Sequence, residues 1–136
     1  MIEIKIDIEA KGKGRPIVTK KGIAFTPTAT RRYEDYLKYA MSEQYKGELL
    51  DEPLELEIEC LYLQNKTVRK RDKPVRKPRV TKPDCDNIIK SICDAGNKLI
   101  WRDDALIYKI TFTKTNGAEG EKPFIKVKVK QFTGGE

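Results

Sequence analysis

Two stretches of this chain alternate strictly between apolar and polar residues. Ile2, Ile4, Ile6 and Ile8 are separated by Glu3, Lys5 and Asp7; further on, Leu54, Leu56, Ile58 and Cys60 are separated by Glu55, Glu57 and Glu59. A period of two predicts a strand buried on one face. The second strand runs on through Leu61, Tyr62 and Leu63, and its glutamates read as a solvated face that also discourages stray edge pairing. A last strand alternates Ile125, Val127 and Val129, with Phe124 ahead of them, against Lys126, Lys128 and Lys130. Residues 105–113, rich in β-branched and aromatic side chains, predict another strand, joined to the last one through the turn-rich residues 115–121 as an antiparallel hairpin. Residues 17–19 and 22–25 read as a short hairpin around Lys20, Lys21 and Gly22.

The helical period occurs twice. Between residues 29 and 45, Tyr33, Leu37, Ala40, Met41 and Tyr45 fall near one face, while Arg31, Arg32, Glu34, Asp35 and Lys38 turn outward. Thr28 or Thr30 supplies the N-cap and Gly47 closes the helix. In the second helix Pro83 sits at the start, where its missing donor costs nothing. Ile88, Ile89, Ile92, Cys93 and Gly96 form its apolar stripe, and Asp86, Lys90, Asn97 and, more loosely, Asp94 line the other side. Strands and helices that do not strictly alternate predict an α+β two-layer sandwich, a mixed or antiparallel sheet with two main helices on one face.

At 136 residues the chain is a single domain spanning positions 1–136, and 38% hydrophobic against 36% charged residues predicts a modest core under a highly charged surface. The chain opens with no apolar run behind a basic flank, so we expect no signal peptide, and no stretch approaches the 18–20 apolar residues of a membrane span. Cys60, Cys85 and Cys93 make no CxxC pair and histidine is absent, which argues for reduced thiols in the cytosol and against zinc. Lack of histidine also excludes a Ser-His-Asp triad. Any hydrolysis must be run by carboxylates, lysine or a metal.

Charge is unevenly distributed. Between residues 64 and 82 stand nine basic side chains (Lys66, Arg69, Lys70, Arg71, Lys73, Arg76, Lys77, Arg79 and Lys82) against Asp72 alone, which accounts for all of the chain's +7 excess. Pro74 and Pro78 prevent a continuous helix, and we expect a mobile basic loop. Such a loop contacts phosphates; no aromatic interrupts it, so duplex or junction backbone suits it better than stacked single-stranded bases. Lys13 and Arg15, set among Gly12, Gly14 and Pro16, offer a second phosphate grip.

The basic loop runs directly into Asp84 and Asp86, and Asp103 and Asp104 precede the strand after the helix. Carboxylates gathered at one end of a helix and strand invite a hard, oxygen-preferring cation such as Mg²⁺, and a pair of such ions can activate water against a phosphodiester. Each acid also has a plainer reading: Asp84 caps the helix, Asp86 complements its dipole, and Asp103 and Asp104 form a turn.

The order Pro83-Asp84-Cys85-Asp86-Asn87, then Lys90, Asp94-Ala95, Asn97 and Asp103-Asp104 before a strand, resembles the RusA family of Holliday junction resolvases. Lys13-Gly14-Arg15-Pro16 followed by Phe25-Thr26-Pro27 is similar to that family's N-terminal portion. The resemblance implies a homodimeric endonuclease that cuts four-way DNA junctions symmetrically with Mg²⁺, Mn²⁺ being a substitute ion, in DNA recombination and repair. Residue by residue it implies metal ligation by Asp84, Asp86 and Asp104, with Asp103 as the other acid of its pair and Lys90 as a supporting cation. Lys13, Arg15, Lys66, Arg69, Lys70, Arg71, Lys73, Arg76, Lys77 and Arg79 are the expected DNA contacts. Such a protein is expected in the bacterial or phage-infected cytoplasm, associated with the nucleoid and with no membrane partner. Cys85 and Ile88 stand where that family usually has Leu, and Gly96 where Leu is common, all three being matters of packing. The competing readings are a non-catalytic nucleic-acid-binding module and a nuclease for other branched DNA.

Overall fold

The structure, a computed structural model, describes residues 1–12, 17–25, 28–132 and 134, with the backbone alone at 17–18 and 24–25. Strand β1 (Ile2–Ile6) leads through a two-stranded hairpin, β2 (Ile17–Val18) and β3 (Ala24–Phe25), to helix α1 (Thr28–Gln44). Strand β4 (Leu54–Tyr62) follows, then a 3₁₀ turn (Lys70–Asp72), β5 (Lys77–Pro78) and helix α2 (Cys85–Gly96). A second 3₁₀ turn (Asp104–Leu106) opens β6 (Ile107–Asn116), and β7 (Phe124–Gln131) ends the fold. This is the expected α+β sandwich, with Lys13 and Arg15 outside the described residues.

The main sheet has the order β1-β7-β4-β6-β5. β4 takes the centre because its inward residues Leu54, Leu56, Ile58, Cys60 and Tyr62 are all fully buried. Ile4 and Ile6 of β1 and Ile125, Val127 and Val129 of β7 complete that apolar face, and α1 and α2 cover it with Leu37, Met41, Ile88 and Ile92. The outer face carries the glutamates of β4, each opposite a lysine of β7: Glu55 faces Lys130, Glu57 faces Lys128 and Glu59 faces Lys126.

One expectation is overturned here. β6 and β7 do not form a hairpin, because β4 lies between them, parallel to β6 and antiparallel to β7. The chain leaves β4, crosses over through α2 and returns as β6 in the same direction, which only a long connection permits. The loop after β6 then passes over the end of β4, where Gly117 N donates to Tyr62 O at 2.7 Å. The most apolar strand wins the central place, and turn residues alone do not decide which strands pair.

Helix α2 is also rotated slightly from the expected stripe. Ile88, Ser91, Ile92, Ala95 and Gly96 are buried, whereas Ile89 and Cys93 are only half-buried. Gly96 is demanded by Trp101: a Cβ there would stand 2.4 Å from the indole ring. Trp101 is fully buried, and its segment is tied to Leu50, whose N donates to Ile100 O (2.8 Å) and whose O accepts from Arg102 N (2.9 Å).

Candidate active site

Helix α2 separates the acids into two groups. Asp84 and Asp86 stand at its N-terminal end, beside the far end of β6, where Lys114 Nζ donates to Thr81 O and Pro83 O, both at 2.7 Å. Asp103 and Asp104 stand past its C-terminal end, where Trp101 packs on Gly96 and donates from Nε1 to Asp104 Oδ1 at 2.6 Å. Asp94 lies in the last turn of α2, close enough for its charge to act on Asp104. Ten residues of helix at 1.5 Å each put about 15 Å between Asp84 and Asp94. The acids therefore do not gather at one end, as their order along the chain predicts, because β6 runs antiparallel to α2 and starts where the helix stops. Among the described residues no three His, Cys, Asp or Glu side chains stand together closely enough to hold a metal ion.

The two ends differ in electrostatics. Asp84 occupies the N-cap position, with the extended backbone of a cap (φ −70°, ψ 148°), yet its side chain caps nothing. Its Oδ2 instead accepts from Lys82 Nζ at 2.9 Å, and this ammonium, aided by Lys114, holds the carboxyl below its usual range. Asp86 is exposed, with Oδ1 accepting from Asn87 N at 3.0 Å. Lys90 is exposed one turn on, and among the described residues no hydrogen bond or ion pair holds its ammonium. At the other end Asp103 does act as a local cap, its Oδ1 accepting from Ala105 N at 2.9 Å. Asp104 is half-buried; burial raises its pKa, the Trp101 hydrogen bond opposes this, and the charges of Asp94 and Asp103 add to the rise. Burial, helped by Asp104 and Asp94, likewise pushes the Cys93 thiol up to about 12. Asn97 Oδ1, at the helix C-cap, is buried without a hydrogen-bond donor among the described residues.

These donors suit a hard divalent cation in kind. All are carboxylate oxygens; the Asp84 carboxyl is held below its usual range, and neither of its oxygens accepts a capping bond from the helix.

The basic segment divides as well. Arg79 stacks on Tyr62, 4.0 Å from the ring centroid, and donates to Asn116 Oδ1 (3.1 Å) and Lys82 O (2.7 Å). Arg76 forks onto Glu121, with Nε–Oε1 at 2.9 Å and Nη2–Oε2 at 2.5 Å, and lies 3.8 Å from Glu59. Lys77 lies 3.7 Å from Asp72. Lys73 is half-buried, and its carbonyl accepts from Gln64 Nε2 at 2.8 Å and Glu119 N at 2.7 Å. Lys66, Arg69, Lys70 and Arg71 remain as exposed cations without a carboxylate partner among the described residues. Sequence reasoning missed Lys114 and Trp101, which position Asp84 and Asp104. Lys114 left one trace, a charged residue among the inward positions of an alternating strand.

The family profile described as Endodeoxyribonuclease RusA matches residues 7–130. A protein of Bacillus subtilis (strain 168), described as uncharacterized protein YqaN, is 24% identical over 112 residues, covering 77% of this chain and 76% of that protein. No helix among the described residues is long and apolar enough to cross a membrane. With all but the two ends of the chain inside the family match, the chain belongs to the RusA endodeoxyribonucleases, divalent-metal-dependent hydrolases that resolve Holliday junctions.

Proposed function

We propose that this chain is a Mg²⁺-dependent resolvase of four-way DNA junctions in recombination and repair, working as a homodimer. The observation that carries the reading is the state of Asp84: a residue in the cap position whose carboxylate is withheld from the helix, kept ionised and exposed beside Asp86. Asp84 and Asp86 would hold the ion from one side. Asp104 of the same chain lies beyond the other end of α2, so Asp104 of a second copy supplies the remaining carboxylate. When bound, the ion would polarise a backbone phosphate and lower the pKa of a water, with Mn²⁺ able to replace it. Lys90, one turn beyond Asp86, balances the charge that develops on the phosphate. Lys66, Arg69, Lys70 and Arg71 bind the phosphates of the arms without reading their sequence.

Two symmetric cuts need two such centres, and a two-fold dimer supplies both from one kind of chain. The testing experiment is cleavage of a labelled four-way junction with and without Mg²⁺, run beside three-way and linear duplexes. Paired metal-dependent cuts restricted to the four-way substrate support the reading. Equal cutting of three-way junctions would make the chain a nuclease for branched DNA in general. Metal-independent cutting would overturn the role given to the carboxylates.

A further inference from the structure

Helix α1 presents an aromatic and cationic stripe at the edge of the core. Ala29, Arg32, Tyr33 and Tyr36 are spaced i, i+3, i+4 and i+7, so they follow one another along a single side of its first turns. With Ile8 and Lys11 they line an open groove of about 280 Å³. The two tyrosines differ. Tyr33 is buried, and its hydroxyl accepts from Lys11 N at 3.0 Å, which pins the segment after β1 against the helix. Tyr36 is 43% exposed, so packing in the core does not account for its ring. Lys11 Nζ lies 5.8 Å from the centre of the Tyr33 ring, and Arg32 is exposed. Among the described residues neither cation has a carboxylate partner.

The groove opens next to the Asp84–Asp86 end of α2. Lys11 O accepts from Ser91 Oγ at 3.3 Å, and a Cβ on Gly12 would stand 3.2 Å from Asn87 Cβ and 3.4 Å from Pro83 Cβ. Lys11, one wall of the groove, thus adjoins the start of α2, which carries both acids. An exposed aromatic ring, an apolar floor and two cations suit an unstacked base with its phosphate: the ring takes the base by stacking, and the cations take the backbone. The volume lies near the lower end, roughly 300 Å³, of pockets for small ligands, which suits one nucleotide rather than a run of them.

We propose that this groove holds one unpaired nucleotide of the DNA strand being cut, its base stacked on Tyr36 and its phosphate between Lys11 and Arg32. The proposal rests on the resolvase reading above and adds to it a nucleotide contact beside the carboxylates. Strands exchange partners at the crossover of a four-way junction, and a base that has lost its pairing costs least to turn out of the stack. A strand that brings a phosphate to Asp84 and Asp86 turns a neighbouring base into the groove. Held there, the strand no longer slides past the carboxylates, so the groove fixes which phosphate they meet. A paired base inside an arm offers no free face and passes the groove by.

The test is photochemical cross-linking without metal, read independently of cleavage. Iododeoxyuridine, which couples to a stacked aromatic ring under near-ultraviolet light, replaces in turn each nucleotide beside the crossover of a four-way junction. A single-stranded oligonucleotide with the same substitution is the second probe. The wild-type chain should give an adduct that peptide mapping places on Tyr36. Tyr36→Phe keeps the aromatic face and should keep the adduct, whereas Tyr36→Ala should lose it with its melting temperature near wild type. The affinity of Tyr36→Ala for the single strand should fall by about fivefold or more, the low end of the effect of one stacked base. An adduct on Tyr39 or Tyr108, which are also exposed, an undiminished adduct in Tyr36→Ala, or no adduct while the junction is bound overturns the proposal. A Tyr36 adduct with the single strand, from a chain that binds no four-way junction, would leave the groove standing and count against the resolvase reading alone.

Discussion

Lys114 Nζ donates to the carbonyl oxygen of Pro83 at 2.7 Å, and by a second bond of the same length to Thr81. A lysine on β6 thereby fixes the turn from which Asp84 projects, and its charge helps to keep that carboxylate ionised. Arg79, through its bond to Lys82 O, holds the same turn from the other side.

Lys114→Met should therefore act on metal use before it acts on DNA binding. Loss of a group that orients a ligand typically costs about 10–100-fold in metal affinity or activity. A Mg²⁺ titration of cleavage should shift to higher concentration by that order, while junction binding measured without metal stays near wild type. Equal losses in both would make Lys114 a DNA contact.

Arg69, Lys70 and Arg71 should carry the salt dependence of binding. Neutralising all three should flatten the plot of log K against log salt by about 0.9 per lost phosphate contact on duplex DNA. Arg79→Gln should lower the melting temperature, since its guanidinium is built into the fold over Tyr62. An unchanged slope in the triple variant would mean that these residues point away from the DNA.

Lys90 separates two roles cleanly. An exposed pair with a residue four positions away is worth about 0.3–0.5 kcal/mol, so a purely structural Lys90 would shift only the melt. A cation that balances charge in the transition state should cost on the order of 10²-fold in single-turnover rate when changed to Ala. A rate within about twofold of wild type, measured beside a thermal melt, would remove Lys90 from the mechanism.

Glu121 predicts a pH dependence outside the site. Its hydrogen bond to Arg76, then that from Ala118 N, lower its carboxyl from 4.5 to about 2. The folded value lies below the unfolded one, so the stabilisation is present above pH 4.5 and fades as pH falls toward 2. Glu121→Gln should thus be less stable than wild type at neutral pH, and the two should converge in acid. Because the pair is solvent-exposed, the difference should be small and should shrink with salt. A difference that grew on acidification would contradict the pairing.

How far the sequence reveals this fold depends on what period can encode. Alternation in β1 and β4 marks their buried faces, and the buried residues match it: Ile4 and Ile6, and Leu54 through Tyr62 at every second position. Period does not encode strand order. The hairpin expected between β6 and β7 fails because both seek β4, which only the summed burial of the sheet decides. Nor does nearness in sequence encode nearness in space across a helix. Asp86 and Asp104 are joined by a 12-residue helix whose ends point opposite ways, and the crossover returns β6 beside the end that Asp104 occupies. The basic segment shows the same limit, since its charge is legible but the partners that hold Arg76 and Arg79 lie 45 and 37 residues away.

In the proposed homodimer, Asp84 and Asp86 of one copy act with Asp104 of the other in metal-dependent cleavage. Asp86→Asn and Asp104→Asn should each abolish cutting of a four-way junction while leaving its binding intact. Mixed and allowed to exchange, the two inactive variants should regain Mg²⁺-dependent nicking. Only one centre in each mixed dimer has all its carboxylates, so the recovered activity should be about a quarter of the wild-type sites under random pairing. If each centre were built within one chain, every site in the mixture would lack a carboxylate. A mixture as inactive as its two components, with exchange verified by differently tagged copies, would rule out a site shared between copies.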